Sequence, residues 1–234
     1  MKYVAALVSG ILVGIGMFLG LMYANPFAVG QTVSPLAVTN QPIINLEYSA
    51  DETSLIFHTS RGREGARRPE SAVELWEPTL RNSRAYVVHL ADSRGRPAGV
   101  AVKFSTDSEK THLLNSEIVV DSVWHAYLPE RGTLFASQTE DYWSFLRDVV
   151  VQAKLDSAGT WRGAWTGVMT SGPNAIGTGR AIGGSGEFAE LEGELVESLN
   201  AVAYSADAGP VALRGSLAIA WPTAEPEVLS VVTE

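Results

Sequence analysis

The sequence predicts a mainly β protein: a single antiparallel β-barrel of about eight or more strands with one amphipathic helix, behind an N-terminal transmembrane helix. Three observations predict it. Tyr3 to Tyr23 carries no charge and is apolar almost throughout. Period-two alternation dominates the chain from residue 43 onward. The last third reads as successive strands punctuated by glycine-rich turns, a meander that closes on itself when enough strands are present.

The apolar run comes first. Its 21 residues would rise roughly 31 Å as a helix, enough for a hydrocarbon core of about 30 Å. A cleaved secretory signal is the competing reading. Such signals carry an apolar stretch of about 7–15 residues behind a basic start, whereas this run is longer and only Lys2 precedes it. Ala28-Val29-Gly30 has the small-residue character of a cleavage site, which keeps that alternative open. Basic residues near the ends of a span set its orientation. Lys2 lies on one side and the next basic residue is Arg61. The expectation is a single-pass inner (cytoplasmic) membrane protein with a cytoplasmic N-terminus and the remainder periplasmic or extracellular. Gly10 with Gly14, and Gly16 with Gly20, form two G-x-x-x-G pairs. Small residues one turn apart let helix backbones approach in lipid, so these four are the candidate helix-packing residues.

Composition divides the rest. Residues 1–24 read as the anchor, 25–42 as an extended linker with Pro26, Gly30, Pro35 and Pro42, 43–222 as the barrel domain and 223–234 as a flexible tail. Cysteine is absent, so neither disulfides nor thiol chemistry are available. The net charge is −9 and unevenly spread. Arg61 to Lys103 holds nine basic and five acidic residues; everything after it holds seven basic and eighteen acidic. An acidic chain with one small basic patch is no nucleic-acid binder. Arg61, Arg63, Arg67 and Arg68 cluster on one glycine-containing stretch. They are either a solvated loop between strands or a contact for an anionic surface such as lipid headgroups.

In the domain, Ile44 to Tyr48, Leu55 to Thr59, Ala85 to Leu90 and Val100 to Phe104 alternate as short strands. The last two flank Asp92-Ser93-Arg94-Gly95-Arg96-Pro97, which has the turn chemistry of a hairpin. His112 to Val120, Val123 to Leu128 and Thr133 to Ser137 continue the pattern. Thr139 then reads as the cap of a helix with Glu140 and Asp141 in its first turn. Tyr142, Phe145, Leu146, Val149, Val150 and Ala153 form its apolar stripe. Beyond the turn at Ser157-Ala158-Gly159, one strand face holds Trp161, Gly163, Trp165, Gly167 and Met169. Gly177 to Ile182, Ala189 to Leu195 and Val211 to Trp221 supply three further strands.

Few residues point to chemistry. The four histidines, His58, His89, His112 and His125, lack ligand spacing, so no metal is expected; no cofactor is expected either. Glu190, Glu192 and Glu194 share a strand face. Inward they would make an acid/base or cation site; outward, as Leu191 and Leu195 on the other face require, they are a solvated row. Trp161, Trp165, Met169 and Trp221 either line a ligand cavity or plug a closed barrel.

The run from Gly177 through Gly179-Arg180-Ala181-Ile182-Gly183-Gly184-Ser185-Gly186 to Gly193 resembles the glycine-rich hairpin of allene oxide cyclase and dirigent-like barrels. The resemblance covers residues 157 to 221, departs at Leu191 where the pattern has alanine, and implies an eight-stranded calycin-type barrel with an apolar interior. It transfers no catalytic residues. The reading that follows is a non-catalytic, membrane-anchored accessory subunit that packs with other membrane-protein subunits. The alternatives are a periplasmic lipocalin-like binder of an apolar small molecule and a dirigent or cyclase-type enzyme, in which a barrel needs few catalytic groups.

Overall fold

In the computed structural model the described residues are 2–23, 43–59, 72–75, 82–171 and 179–220. The expected linker, the arginine loop with Arg61, Arg63, Arg67 and Arg68, Trp221 and the tail lie outside them. Lys2–Tyr23 is a single helix, α1, and its Lys2–Gly20 stretch is long and apolar enough to cross a membrane. Among the described residues eleven strands follow: β1 (Ile43–Ala50), β2 (Leu55–Thr59), β3 (Val73–Leu75), β4 (Arg84–Asp92), β5 (Pro97–Asp107), β6 (Val119–Leu128), β7 (Gly132–Asp141), β8 (Thr160–Val168), β9 (Gly179–Gly184), β10 (Gly193–Ser205) and β11 (Gly209–Ala220).

Eight of them close a barrel in the order β1-β11-β10-β9-β7-β6-β5-β4. Closure comes from β1 returning to β4, with Leu46 opposite Asp92 and Tyr48 opposite Leu90. The ring is antiparallel throughout, as short hairpins allow. The β4–β5 turn shows why its sequence forms one: Asp92 Oδ1 accepts the Arg94 and Arg96 amides, each at 2.9 Å, and Gly95 takes φ +73°.

Strand alternation sends one set of side chains inward. At one end Leu46, Leu90, Leu128, Leu134, Phe188 and Leu217 are buried and packed together. Val100, Phe104, Val123, Tyr127 and Phe135 alternate with inward residues and face out. Strands β1 and β2 share one edge of β4, β1 at Leu90–Asp92 and β2 at Arg84–Tyr86.

Three expectations are corrected. The helix starts later than Thr139: β7 runs through Asp141, and helical residues are Trp143–Phe145, a π-type turn at Leu146–Val150, and Val151–Leu155. Asp141 Oδ1 accepts the Trp143 amide at 2.8 Å, which frees Thr139 and Glu140 to stay in the strand. The stripe itself is real, with Phe145, Val149 and Ala153 buried. His112 to Val120 is not one strand, because Leu113–Asn115 forms a 3-10 turn ending in left-handed Ser116. Finally, β8 pairs with β10, not β9. The 13 residues of β10 are long enough for β9 to take the start of its edge and β8 the end.

Candidate active site

The inward positions of five strands build one ionic cluster. On β5, Ala101, Lys103 and Ser105 are buried between half-buried or exposed neighbours, so alternation drives the Lys103 side chain into the barrel. The same phase puts Gln138 and Glu140 inside on β7, Ser122 and Trp124 on β6, Glu197 on β10 between Leu195 and Leu199, and Tyr48 on β1. Glu140 and Glu197 have no exposed surface.

Lys103 Nζ donates to both Glu197 oxygens at 2.8 Å and lies 2.6 Å from Glu140 Oε1. Glu197 also accepts the Tyr48 phenol and Gln138 Nε2, with Trp124 Nε1 at 3.3 Å. Glu140 Oε1 accepts Ser122 Oγ at 2.6 Å and Gln138 Nε2, while its Oε2 has no hydrogen-bond partner. A second layer fixes the amide: Thr170 Oγ1 donates to Gln138 Oε1 and accepts the Glu197 amide, both at 2.7 Å.

The two carboxylates are electrostatically unequal. Burial raises Glu140; Lys103 opposes that, Glu197 reinforces it, and the result is a carboxyl pushed up to about 7. Glu197 also feels burial, but Lys103 and its own donors outweigh it and hold it below the ordinary range. Burial alone would lower Lys103, yet Glu140 and Glu197 raise it well above its usual value. Burial and then Glu197 push the Tyr48 phenol up; burial and then Glu140 do the same for Tyr142. Near neutrality the cluster is therefore a fixed Lys103–Glu197 ion pair beside a carboxyl that exchanges a proton. With Oε1 occupied by donors, the Glu140 proton belongs on Oε2.

A cavity of about 300 Å³ adjoins the cluster, at the small end of the range for small-molecule sites, about 300–1,000 Å³. Its polar wall comes from β1, β4 and β5, with Tyr48, Lys103 and Arg84, and Tyr142 joins them at the head of the helix. The opposite wall is apolar: Val120, Phe145, Leu146, Leu199 and Leu213. Chemically, it can hold an apolar molecule against two phenols, an ammonium and a proton store.

The residues singled out from sequence fall elsewhere. Trp165 and Met169 are buried in the core cluster. Trp165 meets Phe145 edge-on at 5.1 Å, and Phe145 is the residue facing the cavity. Trp161 is half-buried. Trp161 and Trp165 do share a face with Gly163 and Gly167, because each ring folds over the glycine two residues on, where a Cβ would stand 2.7 and 2.6 Å from it. Gly10, Gly14, Gly16 and Gly20 lie along α1 with nothing within 4 Å of a Cβ at any of them. Glu190 and Glu192 are exposed in the turn that precedes β10 and Glu194 is half-buried at its start, so the three are not the row on one strand face that alternation predicts. His125 stacks on Phe135 at 4.4 Å on the outer face. Among the described residues no three His, Cys, Asp or Glu side chains gather to hold a metal.

No family model and no curated protein sequence matches the chain. Solved structures do. A pterocarpan synthase dirigent protein matches with TM-score 0.42 at 12% identity, over 79% of this chain and 87% of that one. A heme-binding cyclase of neoabyssomicin biosynthesis matches with TM-score 0.40 at 11% identity, over 82% and 71%. A Diels-Alderase from Streptomyces koyangensis matches with TM-score 0.40 at 10% identity, over 80% and 69%. The similar chains are thus a dirigent protein, a cyclase and a Diels-Alderase, in line with the resemblance expected from the glycine-rich hairpin. The expected non-catalytic accessory subunit is corrected: the barrel interior holds a cavity beside a buried ionisable cluster.

Proposed function

We propose that the protein is a dirigent- or cyclase-type enzyme whose barrel takes up an apolar small molecule and catalyses its cyclisation or isomerisation. The observation that carries this reading is the burial of Lys103, Glu140 and Glu197 beside an apolar cavity. Taking an ion out of water costs several kcal/mol even when it is paired. Retaining an apolar ligand needs only apolar walls, which Leu199, Leu213 and Phe145 already provide. Groups so placed suit proton transfer and charge stabilisation.

Each group has a role. Glu140 stores the proton, and Tyr142, next to it and on the cavity wall, passes it to and from the substrate. Lys103 and Tyr48 stabilise negative charge developing on a substrate oxygen, strongly because water is excluded. The walls hold the substrate folded for ring closure. A proton lent at one substrate atom is returned from another, so product and substrate are isomers. Helix α1 anchors the chain with its N-terminus in the cytoplasm and the barrel on the far side, beside the bilayer into which an apolar substrate partitions.

The test uses full-length protein in nanodiscs, incubated with the small-molecule extract of its own cells and followed by mass spectrometry. The expected result is consumption of one compound with appearance of an isomer of equal mass, lost in Glu140→Gln. A compound that binds wild type and variant alike and is recovered unchanged would make the barrel a carrier and overturn the reading.

A further inference from the structure

Among the described residues, Arg84 is the one cation of the cavity wall that the proton chemistry leaves unused. It sits on the inward phase of β4, opposite Ser105 and one inward position along from Tyr86, itself opposite Lys103. Lys103 is saturated by two carboxylates. Arg84 is not. Its Nη2 donates to Asp107 Oδ1 at 3.0 Å, and Asp107 divides its charge, its Oδ2 accepting Asn82 Nδ2 at 2.6 Å. Arg84 Nε is buried and has no acceptor.

An unpaired buried N–H is costly, and native proteins rarely keep one without a reason. Here the reason is at hand: the guanidinium borders a ligand cavity, and a ligand oxygen would supply what is missing. Guanidinium is the side chain best matched to a planar carboxylate, which it binds through two parallel hydrogen bonds. The rest of the lining excludes a ligand that is polar throughout. Ile118, Val120, Phe145, Leu146, Leu199 and Leu213 face the polar wall.

We propose that the substrate is an amphipathic acid, its carboxylate held by Arg84 and its apolar body lying against Phe145 and Leu213. Arg84 is then a specificity determinant that orients the molecule, with its far end toward the Lys103–Glu140–Glu197 cluster. This deepens the enzyme reading above and rests on the same cavity.

The test compares 2-naphthoate with its uncharged isostere 2-naphthamide by equilibrium dialysis against full-length protein in nanodiscs, with empty nanodiscs as blank. Wild type is expected to prefer naphthoate by about tenfold, the worth of one charge-assisted contact. Arg84→Gln should abolish that preference by weakening naphthoate alone. Asp107→Asn removes the ion pair but keeps the guanidinium, so the preference should persist or grow. Equal affinity of wild type for the two compounds, an equal loss of both in Arg84→Gln, or an Asp107→Asn that behaves like Arg84→Gln would each overturn the carboxylate site. Failure of either compound to bind wild type would instead remove the cavity reading on which it rests.

Discussion

Tyr48 reaches Glu197 because Gly215 has no side chain. The two residues face one another across β1 and β11, and a Cβ on Gly215 would fall within the Tyr48 ring. The phenol passes over that gap and donates to Glu197, so a glycine on the neighbouring strand helps assemble the ionic cluster.

Gly215→Ala is therefore expected to destabilise the barrel by about 1–3 kcal/mol, the usual range for overpacking. Equilibrium denaturation of the solubilised full chain measures it. In a Tyr48→Ala background the same substitution should cost close to nothing, because the ring it strikes is gone. An undiminished cost there would show that Gly215 matters for another reason.

The cluster should respond to charge removal in an uneven way. Lys103→Met strands two buried carboxylates and is expected to cost about 3–5 kcal/mol. Adding Glu140→Gln and Glu197→Gln should recover most of it, since replacing a complete buried ion set is often neutral. Singly and at pH 6, Glu197→Gln should be worse than Glu140→Gln, because Glu197 is the ionised partner of Lys103 and Glu140 is largely neutral there. Equal losses from the two single variants would contradict the assignment.

Much of the fold was legible and the site was not, for one physical reason. Alternation of apolar residues marks strands, so β4, β5, β11 and the stripe Phe145, Val149 and Ala153 could be read directly. The site consists of polar residues at inward positions, where the apolar pattern lapses. Glu197 continues the phase of Leu191 and Leu195, and extending that alternation by two residues would have placed it inside. Glu140 continues Leu134, Ala136 and Gln138 in the same manner, but two acids behind a threonine imitate a helix start. Lys103 had no local mark at all: its partners lie 37 and 94 positions away in sequence. Pairing of that range is set by barrel closure. The tryptophans drew attention by size, yet size suits a packed end as well as a cavity.

The proposed anchoring by α1, and its direction, are open to a reporter. Alkaline phosphatase fused after residue 220 should be active in cells and a fluorescent protein at the same place dark, as expected for an exported C-terminus. Deleting residues 2–23 before an independent export signal should release the barrel into the soluble fraction. The opposite reporter pattern would put the barrel in the cytoplasm.

Acidity should tune both stability and turnover through Glu140. Its ordinary value is 4.5 and its folded value about 7, so between these the folded chain keeps a proton that the unfolded chain has released. Stability from this group therefore falls as pH rises from 4.5 to about 7, then levels off. Glu197 acts in the opposite sense: its lowered pKa adds stability above 4.5 that is lost as pH drops through the folded value. Lys103, raised above 10.5, adds stability that is fully present below that value and is lost only in more alkaline solution. The cluster's contribution should thus peak near pH 4.5 and decline toward 7, a decline that Glu140→Gln removes. Turnover that draws on the neutral carboxyl should fall above about 7 in the same protein. A decline in denaturation midpoint that persists in Glu140→Gln would place the titrating proton on some other group and break the link between Glu140 and catalysis.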